Sequence, residues 1–99
     1  MKRGTTPTIS ITTDVDLRDC EVLFFTFCQN NKTIIEKTKE DLTFNESGFA
    51  CDLSQEETLR MANTSIVKCQ IRARLSDGKA LASNIMSFSP EGILKDGVI

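Results

Sequence analysis

The stretch from Thr64 to Leu75 alternates between two kinds of side chain with a period of two. Such a period is typical of a strand that covers a core with one side and faces water with the other. The run therefore predicts an antiparallel sheet with one solvated face. The side chains assigned to the core are those of Ser65, Val67, Cys69, Ile71, Ala73 and Leu75, and the others are those of Thr64, Ile66, Lys68, Gln70, Arg72 and Arg74.

The chain length and the spacing of strand-like runs predict one domain. A chain of 99 residues is long enough to bury an independent core without metals or disulfides. About seven short strands separated by turn signals, with one short helix near residues 55–61, predict an all-β, immunoglobulin-like antiparallel sandwich. Residues 1–99 are assigned to this domain, and residues 90–99 form its C-terminal tail.

Turn and capping signals place the boundaries between these elements. Ser54 followed by Glu57 forms a capping box, which predicts a helix start. Asn30-Asn31 and Asp77-Gly78 predict two tight hairpins, because Asn and Gly tolerate positive φ. The apolar side chains of the last strand change side near Asn84, which predicts a bulge.

Composition argues against most enzymatic readings. The chain has no His, which removes the commonest general base and metal ligand, and it has no Trp or Tyr. A net charge of −2 provides no positive field that would attract nucleic acid or an anionic membrane. We therefore expect no enzymatic activity, no catalytic residues, no cofactor and no small-molecule substrate.

Four cysteines leave two readings open. Cys20, Cys28, Cys51 and Cys69 include no Cys-x-x-Cys pair, so the sequence predicts no metal site. Because three of them lie in apolar strand-like runs, we expect free thiols that act as small core residues. An even count also permits two disulfides, although the beginning of the sequence lacks the apolar stretch of a signal peptide.

Two charged groups have ordinary explanations. Lys68, Arg72 and Arg74 line one side of a strand, which is typical of a solvated face rather than of a nucleic-acid interface. Glu56 and Glu57 fit the first turn of a helix, where carboxylates stabilise the helix dipole.

Excess apolar surface is the feature that points to a partner. The strand from Cys20 to Gln29 is apolar on both sides, and the segment from Ile93 to Ile99 is apolar for a tail. Both can pack against another subunit, or both can fill the domain's own core. The predicted interface residues are Phe25, Phe27, Ile93, Leu94, Val98 and Ile99.

Several blocks resemble a known family. They are Lys2 to Thr8, Asp52 to Leu59, Gln70 to Arg74 and Asp77 to Asn84. Together they resemble short prophage proteins of Gram-positive bacteria that are encoded among tail and structural genes. In outline the chain is also similar to the immunoglobulin-like N-terminal domain of phage baseplate upper proteins.

The resemblance implies a non-enzymatic virion protein of a tail or baseplate. Its implied partners are other phage structural proteins or further copies of itself, in a homo-oligomer. Its implied location is the virion, or the host cytoplasm during assembly. None of the matching blocks carries a catalytic residue.

A ligand-binding module is the alternative function. A carbohydrate-binding or host-adhesion domain needs exposed amide or carboxylate groups around a concave site. The sequence offers such groups in two predicted loops, Asn30-Asn31 and Asn45 to Gly48.

Overall fold

Two antiparallel sheets form the fold of the computed structural model, which describes residues 1–99. A 3₁₀ turn at Lys39–Asp41 and one helix, α1, at Gln55–Leu59 complete the regular structure. The strands are β1 (Thr8–Thr12), β2 (Val22–Gln29), β3 (Lys32–Thr38), β4 (Leu42–Asn45), β5 (Gly48–Asp52), β6 (Val67–Arg74), β7 (Ala80–Ala82) and β8 (Met86–Phe88).

The strand order confirms the predicted β-sandwich. One sheet has the order β1-β5-β4, and the other has the order β3-β2-β6, with β7 and β8 both paired to β6. An immunoglobulin-type sandwich has the same neighbours, but it carries one more strand beside the strand that corresponds to β1. The outer edge of β1 therefore has no strand beside it.

Eight strands form where about seven were predicted, because the last predicted strand is divided. The expected change of side near Asn84 separates β7 from β8, and each piece pairs with a different part of β6. The helix is also shorter than residues 55–61, since Arg60 already serves as its C-cap.

The core lies between the sheets and is centred on aromatic rings. Phe25 and Phe27 of β2 are 0% exposed, and Phe25 packs edge-on against Phe49 of β5 with ring centroids 5.5 Å apart. These two side chains are therefore unavailable to a partner, which corrects their assignment as interface residues. The outward side of β2 carries Phe24, which is 40% exposed.

Local signals form as the sequence predicts. Ser54 Oγ accepts a hydrogen bond from the Glu57 amide at 3.1 Å, and Glu57 Oε1 accepts one from the Ser54 amide at 2.9 Å. Asn30 and Asn31 both have positive φ, at 53° and 63°, as a tight hairpin requires.

Gly48 is required by a close approach between strands. Its φ is +154°, and a Cβ there would lie 1.9 Å from the carbonyl oxygen of Ile11. A side chain at this position would push β1 away from β5, so this glycine holds the three-stranded sheet together at one end.

Candidate interaction site

The two sides of the sandwich differ in how they are closed. On one side, β4 lies beside β5, and the Phe44 ring approaches the Phe49 ring to 5.8 Å. On the other side, the edge of β1 faces β7 and β8 across a groove. We call this side of the molecule the open side.

The groove has a volume of about 530 Å³ and a largely apolar lining. Ala73 and Ile71 of β6 form part of its floor, and both are buried. Its exposed walls include Val15 and Leu81, which are 42% and 37% exposed. The further apolar residues that line it are Ile11, Leu17, Ala82 and Met86.

The break between β7 and β8 shapes one wall of the groove. Ser83 lies in the break, where its Oγ accepts a hydrogen bond from the Ile71 amide at 3.0 Å and its amide donates to the Ile71 carbonyl. Gln70 Nε2 donates to the Ser83 carbonyl at 2.9 Å. These bonds satisfy backbone groups in the middle of β6, where no neighbouring strand is paired with it. The wall of the groove is therefore held in place between β7 and β8.

The N-terminal residues close the gap between the sheets at one end only. Lys2 forms a parallel bridge with Glu91, and the Arg3 amide donates to the Glu91 carbonyl at 3.0 Å. The Arg3 guanidinium donates to the carbonyls of Leu59 and Met61, which ties this segment to the end of α1. From Ile11 to Leu17 the open side keeps its groove.

Residues 93–99 form an exposed apolar segment beside α1, which we call the 93–99 segment. The Ile99 amide donates to Gln55 Oε1 at 2.9 Å, and Gln55 Nε2 donates back to the Ile99 carbonyl at 3.2 Å. Ile93 is partly buried, with its Cδ1 2.9 Å from where a Cβ on Gly4 would lie. Leu94 is fully exposed, and Val98 and Ile99 are 56% and 89% exposed.

The groove and the 93–99 segment lie toward opposite ends of the sandwich. The segment contacts Gln55 and Gly4, close to the Thr8 end of β1, because the strand paired with Thr8 leads into α1. The groove continues past Thr12, the other end of β1, to Leu17. The two features therefore lie apart on the surface of the molecule.

The loop near the groove is more acidic than the residues around the 93–99 segment. The loop from Thr13 to Glu21 carries four carboxylates and one arginine. Hydrogen bonds from the Arg18 side chain and amide lower the pKa of Asp16 below its ordinary value of 3.8, so this carboxylate stays charged. Residues 1–3 and 91–96, at the other end, carry three basic and two acidic side chains.

The cysteines are free, as expected, and two of them have raised pKa values. Cys20, Cys51 and Cys69 are buried, and Cys28 is partly buried. Burial raises the pKa of Cys51 to about 11, and burial also raises the pKa of Cys69. Both thiols are therefore protonated at neutral pH, whereas a nucleophilic or metal-binding cysteine acts as a thiolate.

One partly buried ion pair joins the helix to the larger sheet. Lys37 Nζ lies 2.8 Å from Glu57 Oε2, and the two side chains are 14% and 16% exposed. Burial raises the pKa of Glu57, but the hydrogen bonds from Lys37 and Ser54 outweigh it, so that the pKa lies below its ordinary value. This pair fixes α1, beside which the 93–99 segment lies, and it has a structural role.

The structure separates the other predicted groups. The basic side chains of β6 point outward from the larger sheet, and Arg74 pairs with Glu21 at 3.2 Å. The Asn30-Asn31 turn follows Gln29, which pairs with Val67 at one end of β6. The turn from Asn45 to Gly48 lies at the other end, where the Thr13 amide donates to Ser47. The two loops therefore do not form one site.

The groove was missed by the sequence reasoning, which singled out none of its lining residues as a site. Two signals for it were present in the sequence. Val15 and Leu17 are apolar residues within an acidic loop, and the break near Asn84 interrupts a strand. Neither signal shows that the two places face each other, because that depends on how the sheets pack.

Comparisons with known proteins identify no relative. No protein-family model, no curated protein and no solved structure matches this chain. No group of three or more His, Cys, Asp or Glu side chains is placed to hold a metal ion. The helical segments are three and five residues in length, and neither has the size or apolar character to cross a membrane.

Proposed function

We propose that this chain is a non-enzymatic structural protein of a phage particle, a tail or baseplate component that acts through protein–protein contacts. The main support for the proposal is the exposure of apolar side chains in the 93–99 segment. The side chains of Leu94, Val98 and Ile99 are exposed to water, while the backbone of Ile99 is hydrogen-bonded to Gln55. Apolar side chains exposed together on an ordered surface are typical of a protein-binding site.

The open edge of β1 supports the same proposal. An unpaired strand edge offers backbone donors and acceptors to a neighbouring chain, and natural proteins usually cover or blunt such edges. The phage assignment itself depends on the resemblance of the four sequence blocks to prophage tail and structural proteins. Buried, protonated thiols and the absence of histidine are compatible with a role without catalysis.

The test is to look for the protein in intact particles. Particles purified after prophage induction from the source strain are analysed by quantitative mass spectrometry. The control is the same gradient fraction from uninduced cells. The proposal predicts that the chain copurifies with tail proteins at a fixed ratio through a density gradient. Absence from tail-containing particles, with the protein present in the soluble lysate, contradicts it.

A further inference from the structure

The open side of the sandwich is a place where a strand is expected and none is present. The strand order matches an immunoglobulin-type sandwich except for the strand that normally lies beside β1. The N-terminal residues reach only the Glu91 end of this gap. The groove between β1 and β7–β8 therefore suits an extended segment with apolar side chains.

We infer that the groove binds the 93–99 segment of a second copy of this chain. This inference rests on the proposed function as a protein-binding module, and it names the partner and the two surfaces. Leu94 and Val98 of one copy lie against the apolar wall that includes Val15 and Leu81 of the next.

Chemical complementarity supports this occupant. The segment is apolar and exposed, while the groove is apolar and open, so their association removes both surfaces from water. Lys95 lies within the segment, and Asp14 lies on the groove wall. The acidic loop from Thr13 to Glu21 then faces residues 1–3 and 91–96 of the neighbouring molecule, with their three basic and two acidic side chains, which favours this orientation over a contact between two acidic loops.

The positions of the two surfaces determine the form of the assembly. Because the segment and the groove lie toward opposite ends of β1, each copy uses its segment toward one neighbour and its groove toward the other. Such a head-to-tail contact produces a ring if the rotation closes and a filament if it does not. A contact of two like ends would stop at a dimer.

Two variants, each defective on one surface, test this inference. The segment variant is Leu94→Ser, Val98→Ser and Ile99→Ser, which changes exposed side chains and no charge. The groove variant is Val15→Asp with Leu81→Asp, which places carboxylates on the exposed walls. Ile66→Asp is the matched control, because Ile66 is 54% exposed and belongs to neither surface.

Sedimentation velocity and light scattering measure the result over a range of concentrations. The natural chain and Ile66→Asp are expected to form a concentration-dependent series of oligomers. Each defective variant alone is expected to stay monomeric, with a dissociation constant raised at least about tenfold. Mixed together, the two variants are expected to form a one-to-one dimer and nothing larger, because one intact segment meets one intact groove.

Three outcomes overturn the inference. They are a natural chain that stays monomeric at all concentrations, variants that still associate alone, and a mixture that gives no dimer. Circular dichroism and thermal unfolding confirm that each variant is folded before the comparison is made. The presence of the protein in purified particles is measured separately. If the protein is found in tails but does not form this head-to-tail contact, the proposed function stands and the inference is wrong.

Discussion

The two long sides of this sandwich contrast in packing. On the closed side, the Phe25 ring of one sheet packs against the Phe49 ring of the other with centroids 5.5 Å apart, and the Phe27 ring lies 4.6 Å from the Phe25 ring on the same strand. On the open side, Ile71 and Ala73 face a groove of about 530 Å³ instead of a facing strand. Both sides have an apolar lining, so hydrophobicity alone does not determine whether a surface is filled.

What differs is the number of strands available to cover each side. The closed side has β4 beside β5, whereas the open side ends at β1. A groove lined by apolar groups loses the dispersion contacts and the burial that a facing strand would supply. The closed side therefore contributes more packing contacts to the stability of the domain, whereas the open side leaves apolar surface uncovered and available for binding.

The largest expected effect is the loss of a ring on the closed side. Phe27→Ala removes a side chain with 0% exposure and leaves a cavity, so the free energy of unfolding should fall by about 3–5 kcal/mol. Phe24→Ala, on the outward face of the same strand, is the control and should cost about 1 kcal/mol or less. Urea unfolding measures both, and equal losses would contradict the assignment of the two faces of β2.

The next effect concerns the contact between β1 and β5. Gly48→Ala places a Cβ against the Ile11 carbonyl at a positive φ, and it should destabilise the domain by about 1–3 kcal/mol. Gly78→Ala is the control, because Gly78 also has a positive φ, of 89°, but a Cβ there would meet nothing within 4 Å. It therefore measures the cost of backbone strain without a steric clash. We expect Gly48→Ala to be the more costly of the two in thermal unfolding. The reverse order would mean that β1 is not held closely at this point.

A smaller and pH-dependent effect is expected at Glu57. Its pKa in the folded protein lies below the ordinary value of 4.5, so its contribution to stability is complete above that pH and declines as pH falls through the folded pKa. Glu57→Gln should therefore cost about 1–2 kcal/mol at neutral pH, and the difference from the natural chain should shrink below about pH 4.5. Urea unfolding between pH 3 and pH 7 measures the difference, and a gap independent of pH would show that the ion pair with Lys37 does not contribute.

The smallest effects on folding are expected in the surfaces assigned to binding. Leu94→Ser should change the free energy of unfolding of the dilute monomer by less than about 0.5 kcal/mol, because Leu94 is fully exposed. Leu81→Ala, at a partly exposed wall of the groove, should cost less than about 1 kcal/mol. Losses as large as that of Phe27→Ala would mean that these residues belong to the core, and the contrast between the two sides would fail.

Much of the architecture could be predicted because its signals are local. The alternation in β6 is reproduced by the burial of Val67, Cys69, Ile71 and Ala73, and the capping box of α1 lies at Ser54. Each of these signals depends on residues within one strand or one turn. Periodicity and turn chemistry therefore report them directly.

The inward face of β2 could not be predicted in the same way. Both of its faces are apolar, and the polar residue Gln29 shares a face with Phe25 and Phe27. In the structure Gln29 is buried, and its amide binds the carbonyls of Ala62 and Ser65 at 2.7 Å and 2.9 Å. A side chain that looks solvent-facing is thus satisfied by backbone 33 and 36 residues away, which no local pattern reveals.

The groove depends on contacts still further apart in the chain. It brings Val15, in the loop between β1 and β2, near Leu81 of β7, and this depends on how the two sheets pack and on the missing strand beside β1. The exposure of Leu94, Val98 and Ile99, by contrast, agrees with their assignment as interface residues, which stays a prediction until a partner is tested.

The most direct test of the open side as a binding surface is a titration followed by nuclear magnetic resonance. The ¹⁵N-labelled segment variant, which keeps its groove, is titrated with the unlabelled groove variant, which keeps its 93–99 segment. The account predicts saturable shifts confined to the amides of residues 11–17 and 81–86. Shifts centred on the outward face around Phe24 and Arg72, or no shifts at all, would contradict it.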